Sequence, residues 1–211
     1  MKTATLFPRS LIYPLVAAWS ALLFGGCQPA KESATTQPGP AVAVAAPMPV
    51  PEVKPAVNQA PQAIRIKAGS TEGLTDSQGN HWLPDQGFSE GETIERPDLA
   101  ITNTVDPQIY RSERYSMSGF TQPLPNGKYI VKLHFCETFE GITGPGQRVF
   151  TFNVAGHEFK DFDVWVKAGG SQRAYVETVP VEITNGKLEI TFTPNIENPQ
   201  INGLEIIPAA D

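Results

Sequence analysis

The groups able to move a proton, attack a carbonyl or hold a metal are few and scattered in this chain. Its three histidines, His81, His134 and His157, lie far apart and show no zinc-ligand spacing. No Gly-x-Ser-x-Gly elbow presents a nucleophile, and no glycine-rich loop is placed to cradle phosphate. Asp76, Gly79 and Asn80 lie within Asp-Ser-Gln-Gly-Asn, but the spacing fails the EF-hand pattern. No metal and no cofactor is assigned. Acids are more plentiful. Glu137 and Glu197 are the most plausible pair for a small glycosidase, whose carboxyls must stand about 5 Å or about 6.5–9.5 Å apart. No motif sets them at such a separation, so no catalytic residue is assigned.

The two cysteines have different surroundings. Lys2 and Arg9 precede an apolar stretch, Leu11 to Phe24, interrupted by Pro14 and Ser20. That stretch falls short of the roughly 20 apolar residues a spanning helix needs and has the form of a signal peptide. Leu23-Phe24-Gly25-Gly26-Cys27 has the form of a lipobox, with Phe24 where leucine is usual. It predicts a lipoprotein signal peptide over residues 1–26 and a lipidated Cys27. Diacylglycerol plus an amide-linked chain would supply the two hydrophobic anchors that stable attachment requires. The expected location is the cell envelope, lipid-anchored; Gln28 after the cysteine, rather than Asp, permits the outer membrane where there are two membranes. Cys136 is then left without an intrachain partner. It lies among apolar and aromatic residues, where a free cysteine behaves as a small hydrophobe, so no disulfide framework is expected.

The elements that must position any site begin late. Residues 27–62 cycle through Pro, Ala, Val and Gln without an aromatic residue, which predicts a semi-extended, disordered tether. Strand patterns start at Ile64. Lys128 to Cys136 puts Tyr129, Val131, Leu133 and Phe135 on one face. Val149 to Val154 follows a Gly144-Pro145-Gly146 turn, and a last strand runs from Ile201 to Ile207. Asn185-Gly186 is the signature of a two-residue hairpin. It predicts Ile183 opposite Leu188, Val181 opposite Ile190 and Val179 opposite Phe192, with Glu182 facing Glu189. No sustained helical periodicity follows Pro61. Short strands between Gly, Pro and Asn turns argue for two packed antiparallel sheets. Trp82 is expected to anchor the core beneath a loop. Trp165 shares a strand face with Asp161 and Asp163 and is expected to pack under a neighbouring loop, an exposed sugar-binding role being the alternative. The formal charge of −6 disfavours nucleic acid and anionic lipid as partners.

Over residues 63–208 a series of short motifs resembles the malectin family in order and spacing. It runs through Ala68-Gly69-Ser70, Asp76 to Trp82 with Asp85, and Tyr110 to Tyr115. It continues through Asn126-Gly127-Lys128-Tyr129, Leu133 to Glu137, Arg148-Val149-Phe150 and Asn153 to Gly156. Phe162-Asp163-Val164 and Asn198-Pro199-Gln200-Ile201-Asn202 complete it. The resemblance implies a jelly-roll-like antiparallel β-sandwich of galactose-binding-like form, whose loops at one end bind a glycan without chemistry. Carried over position by position, Tyr115 falls on a sugar-contacting tyrosine. Phe139 falls on another, keeping the ring without the hydroxyl. Glu140 replaces a phenylalanine and Glu197 an aspartate, and a further contacting tyrosine aligns near Thr93.

Tyr115 and Phe139 would then be flat platforms for the C–H face of a pyranose, with Glu140 and Glu197 accepting from its hydroxyls. Phe139 has left the strand alternation and is expected on a loop. Glu137 and Arg114 are expected to pair with each other or to orient the site. The expected function is non-catalytic binding of an oligosaccharide or polysaccharide by a membrane-anchored module. The alternative is a module that binds an envelope protein or peptidoglycan, with the small glycosidase behind both.

Overall fold

The computed structural model describes residues 62–209. The expected signal peptide, the lipidation site Cys27 and the tether up to residue 61 lie outside the described residues. Five short strands come first: β1 (Ile64–Lys67), β2 (Leu74–Thr75), β3 (His81–Trp82), β4 (Phe88–Ser89) and β5 (Glu92–Glu95). A 3-10 turn over Pro107–Arg111 leads to β6 (Ser112–Tyr115), β7 (Gly119–Pro123) and β8 (Gly127–Phe135). Then come β9 (Val149–Val154), β10 (His157–Phe162) and a one-turn helix, α1 (Val164–Ala168). The last strands are β11 (Tyr175–Ile183), β12 (Lys187–Ile196), β13 (Gln200–Ile201) and β14 (Gly203–Pro208).

Two antiparallel sheets face each other. The front sheet has the order β1-β14-β8-β11 and the back sheet β10-β9-β12-β7-β4. Alternate residues explain the packing. Tyr129, Val131, Leu133 and Phe135 of β8 are buried, as are Leu204 and Ile206 of β14, and they belong to one core with Phe150, Phe152 and Val154 of β9 and Leu188, Ile190 and Phe192 of β12. Phe135, Phe150 and Phe162 form an aromatic centre with ring centroids 5.0 to 6.1 Å apart and tilted planes, the geometry ring quadrupoles favour. A jelly-roll-like β-sandwich is the fold.

The predicted hairpin does not form. β11 lies beside β8, with Val179 opposite Val131, Val181 opposite Tyr129 and Ile183 opposite Gly127. β12 lies in the other sheet, where Ile190 is opposite both Phe120 of β7 and Val154 of β9. Asn185-Gly186 is therefore a corner between sheets. Gly186 has φ 79°, whereas Asn185 is not left-handed, so the type I′ geometry, which needs both, is not made. The inward alternation is the same whether two strands lie side by side or face each other across a core, and alternation alone does not choose. The observed register avoids the expected Glu182–Glu189 juxtaposition, and Glu182 stands opposite Lys128 instead, a small favourable contribution.

Trp165 is not on a strand. The chain leaves β10 at Phe162, and Asp163 caps the short helix by accepting from Val166 N at 3.1 Å. Gly169, at φ 76°, ends it one turn later. The Phe162, Val164, Val166 alternation that suggested a strand is broken at Val166, which is exposed.

A second, smaller core covers part of the front sheet with Trp82, Ile101, Ile109, Tyr110, Cys136 and Ala174. Trp82 is buried as expected, and its indole N–H donates to Asp76 Oδ2 at 3.0 Å. The Cys136 thiol is free and buried, which pushes its pKa up to about 12, with Glu137 and Glu113 adding to the rise.

Candidate functional site

Tyr115 ends β6 and is held on both sides, by Glu92 of β5 across one ladder and by Gln200 of β13 across the other. Its hydroxyl donates to Glu92 Oε2 at 2.7 Å. That bond favours the neutral phenol and raises its pKa. The start of β6 is fixed by Asn202, which is fully buried. Its Nδ2 donates to the carbonyls of Tyr110 and Ser112, and its Oδ1 accepts from Cys136 N at 2.7 Å. The Asn at the end of the last quoted motif thus stitches β6 to the end of β8.

Phe139 lies on the loop after β8, as expected, with 43% of its surface exposed. Its backbone is held at both ends. The N–H donates to Glu137 Oε1 at 3.0 Å, and the carbonyl accepts from Ile142 N at 3.0 Å. The ring lies against Gly141, where an added Cβ would come within 2.5 Å of a ring carbon. Gly141 matters here because it leaves room for the ring.

Glu197 follows β12 in a left-handed conformation, φ 60°, with its carboxylate exposed and, among the described residues, accepting only from its neighbour Asn198. What joins its loop to that of Phe139 is a buried ion pair. Glu137 Oε2 meets Arg148 Nε at 2.8 Å, both side chains almost wholly buried, and Arg148 Nη1 donates to the Asn198 carbonyl at 2.5 Å. Burial pushes the Glu137 carboxyl above the ordinary range, and Arg148 with the Phe139 amide pulls back only part of that rise. A second buried acid, Glu113, pairs with Arg96 at 3.2 Å and accepts from the Thr138 hydroxyl at 2.5 Å.

These elements enclose a cleft of about 250 Å³ lined by Tyr115, Phe139, Glu197, Ile94, Arg96 and Arg148, among others. Three of the four carried-over residues therefore meet. Glu140 is exposed and lines an adjoining hollow instead. Thr93 is exposed on β5 opposite Arg114, and the next residue, Ile94, lines the cleft. Glu137 and Arg114 do not pair: Arg114 forms its salt bridge with Asp85, and Glu137 takes Arg148. Each acid takes the arginine that the fold brings beside it. Arg96, Glu113 and Arg148 had not been singled out as parts of a site. The available signal was weak: Arg148 and Glu113 adjoin strand-forming residues, where a charge needs a partner. Among the described residues no three His, Cys, Asp or Glu side chains gather as a metal site would require.

A family model described as the malectin domain matches residues 62–206. The chain belongs to the malectin domain family. Malectin domains are a carbohydrate-binding, extracellular type of module. This one is 29% identical over 166 residues to Malectin-B of Xenopus laevis, a match covering 67% of the chain and 58% of the relative. It is 34% identical over 132 residues to a probable leucine-rich repeat receptor-like serine/threonine-protein kinase of Arabidopsis thaliana, covering 57% of the chain and 13% of the kinase. The chain thus spans less than two thirds of the length of these relatives. Among solved structures, its fold resembles the ANXUR2 extracellular domain of Arabidopsis thaliana, with TM-score 0.62 and 19% identity over 70% of the chain and 49% of that structure. A Bacteroides uniformis beta-glucuronidase aligns with TM-score 0.64 and 20% identity, over 70% of the chain and 18% of the enzyme. At these identities the likeness is one of fold.

Proposed function

We propose that this malectin domain binds an oligosaccharide or polysaccharide, without chemistry, in the cleft between Tyr115, Phe139 and Glu197. The observation that carries the reading is the meeting of two accessible aromatic rings, Tyr115 at the end of β6 and Phe139, with the exposed Glu197 carboxylate, the Phe139 and Glu197 loops being joined by one buried ion pair. Sugar C–H groups pack on aromatic faces while hydroxyls need acceptors, and loops already ordered lose little entropy on binding. Glu137 is unsuited to act with Glu197 as a hydrolytic pair. Its side chain is fully buried and both oxygens are engaged, by Phe139 N–H and by Arg148, whereas a catalytic carboxyl must reach its substrate. The similarity to a glucuronidase covers 18% of that enzyme and supports no hydrolytic reading. The module would act at the cell envelope, held to the membrane by lipid on Cys27.

A printed array of neutral and acidic glycans, probed with the full chain in detergent, tests the binding. Reproducible capture that Phe139→Ala weakens about tenfold supports it; an array with no hits rejects it. The anchor is tested by Cys27→Ser, which should leave the membrane fraction or remain an unprocessed precursor. An envelope protein as partner would be favoured if Tyr115 and Phe139 were buried, but Phe139 is exposed and Tyr115 half-exposed.

A further inference from the structure

The Tyr115 cleft shares Ile94, Arg96 and Phe139 with an adjoining hollow of about 640 Å³, so the two meet at the Phe139 ring. Tyr115 lines only the first and Trp165 only the second. By size the hollow falls within the range of about 300–1,000 Å³ typical of ligand sites, and the first cleft falls just short of it.

The two tryptophans of the described residues are treated differently. Trp82 is buried, and Asp76 takes its indole N–H. Trp165 is half-buried, and among the described residues no acceptor takes its indole N–H. Its backbone is nevertheless fixed. Asp163 caps the helix turn in front of it, and the N–H groups of Gly169 and Gly170 both donate to its carbonyl at 2.9 Å. A partly accessible ring on a fixed backbone, with a free donor, can serve as a platform for an amphipathic ligand. Glu140 lines the same hollow, exposed, and among the described residues its carboxylate accepts no hydrogen bond and joins no ion pair. Ser171 and Gln172 line it too. An aromatic face with several unengaged polar groups is the composition of a sugar subsite.

We propose that the hollow is a second sugar subsite and that the ligand is a linear oligosaccharide long enough to span both clefts, running from Tyr115 past Phe139 to Trp165. This rests on the carbohydrate reading of the first cleft. It also gives Glu140 a place: the acid serves the second subsite. Affinity should therefore grow with chain length beyond what the first cleft accommodates.

The test uses the full chain in detergent on an array of linear glucans, galactans, mannans and chitin oligomers, each from disaccharide to hexasaccharide. For the series that binds, affinity should rise with length, and Trp165→Ala should remove about tenfold at the long end. Trp165→Phe should keep most of the gain, and Glu140→Ala, at an exposed position without partners, should remove a smaller part while folding normally. If a disaccharide and a hexasaccharide bind equally, or the gain survives both Trp165→Ala and Glu140→Ala, the second subsite is wrong and the first cleft stands. If nothing on the array binds, the carbohydrate reading fails and this inference with it.

Discussion

Two hollows in this molecule are built on opposite rules. The larger, about 730 Å³, lies over the outer face of the front sheet and is lined by Asp76, Trp82, Tyr110, His134 and Glu205, among others. Its polar groups satisfy one another. His134 Nε2 lies 3.0 Å from Glu205 Oε1, Arg65 Nε donates to Glu205 Oε2 at 2.8 Å, and the Tyr110 hydroxyl lies 2.8 Å from His134 Nδ1. Burial works against the Glu205 charge, but the hydrogen bond with His134, the nearby charge of Lys132 and the hydrogen bond from Arg65 outweigh it and hold the carboxyl below its ordinary range. Glu205 is thus held by His134 Nε2 on one oxygen and by Arg65 on the other, with the Tyr110 hydroxyl completing the His134 ring's partners at Nδ1. In the Tyr115 cleft the buried acids are satisfied as well, but the surface is less closed: the Phe139 ring is exposed, and the Glu197 carboxylate, also exposed, is met within the described residues by its neighbour Asn198 through one oxygen. Unused bonding capacity at an accessible surface distinguishes a binding site from a structural network.

This contrast can be broken at its frame. Glu137→Ala would leave Arg148 buried without a counter-charge, which typically costs about 3–5 kcal/mol, and would free the Phe139 and Glu197 loops together. Urea denaturation should show that loss and glycan capture should disappear. A variant within about 1 kcal/mol of the parent in stability, by the same mutational scale, would mean that the ion pair is not the frame.

The contrast itself is sharpened by crossing stability with binding. Tyr110→Phe deletes a buried hydrogen bond and should lower stability by about 1–3 kcal/mol with glycan affinity unchanged. Phe139→Ala should do the reverse, weakening binding about tenfold, a change of about 1.4 kcal/mol, with little loss of stability because the ring is exposed. Gly141→Ala is the finer probe. Its backbone is outside the left-handed region, and only the free end of the Phe139 side chain stands in the way. The fold should hold while affinity falls severalfold. Should Phe139→Ala lose several kcal/mol of stability, as buried aromatics do at about 3–5 kcal/mol, the ring is core and the site is misplaced.

The smallest effect is expected at Asp76. Burial opposes its charge, but bonds from the Trp82 indole, from Asn80 and from the Gln78 amide outweigh that and hold its pKa at about 2, against 3.8 ordinarily. A folded pKa below the unfolded one gives stability that is present above about pH 4 and lost as pH falls toward 2. Denaturation between pH 2 and 7 should show this decline, and Asp76→Asn should flatten it. An unaltered pH profile in that variant would assign the acid sensitivity to other carboxylates.

By itself the sequence determined the strands and which of their faces turn inward, because period-two alternation is a local property written into Tyr129, Val131, Leu133 and Phe135 or Leu188, Ile190 and Phe192. It pointed to the burial of Trp82 and Cys136 and, through the family resemblance, grouped Tyr115, Phe139, Glu140 and Glu197, of which the structure brings three to one cleft and sets Glu140 on the adjoining hollow. It did not determine the neighbour of β11, since an inward face satisfies hairpin and sandwich equally and the turn dipeptide fits either a hairpin or a corner. It did not place Trp165 on a helix turn, because five residues are too few for a helical period to register beside an alternating Phe162, Val164 and Val166. Nor could it pair Glu137 with Arg148 rather than Arg114. Ion pairs at low exposure are chosen by which side chains the sheets bring within about 4 Å of each other, and that distance exists only once β8, β9 and the loops around them have packed.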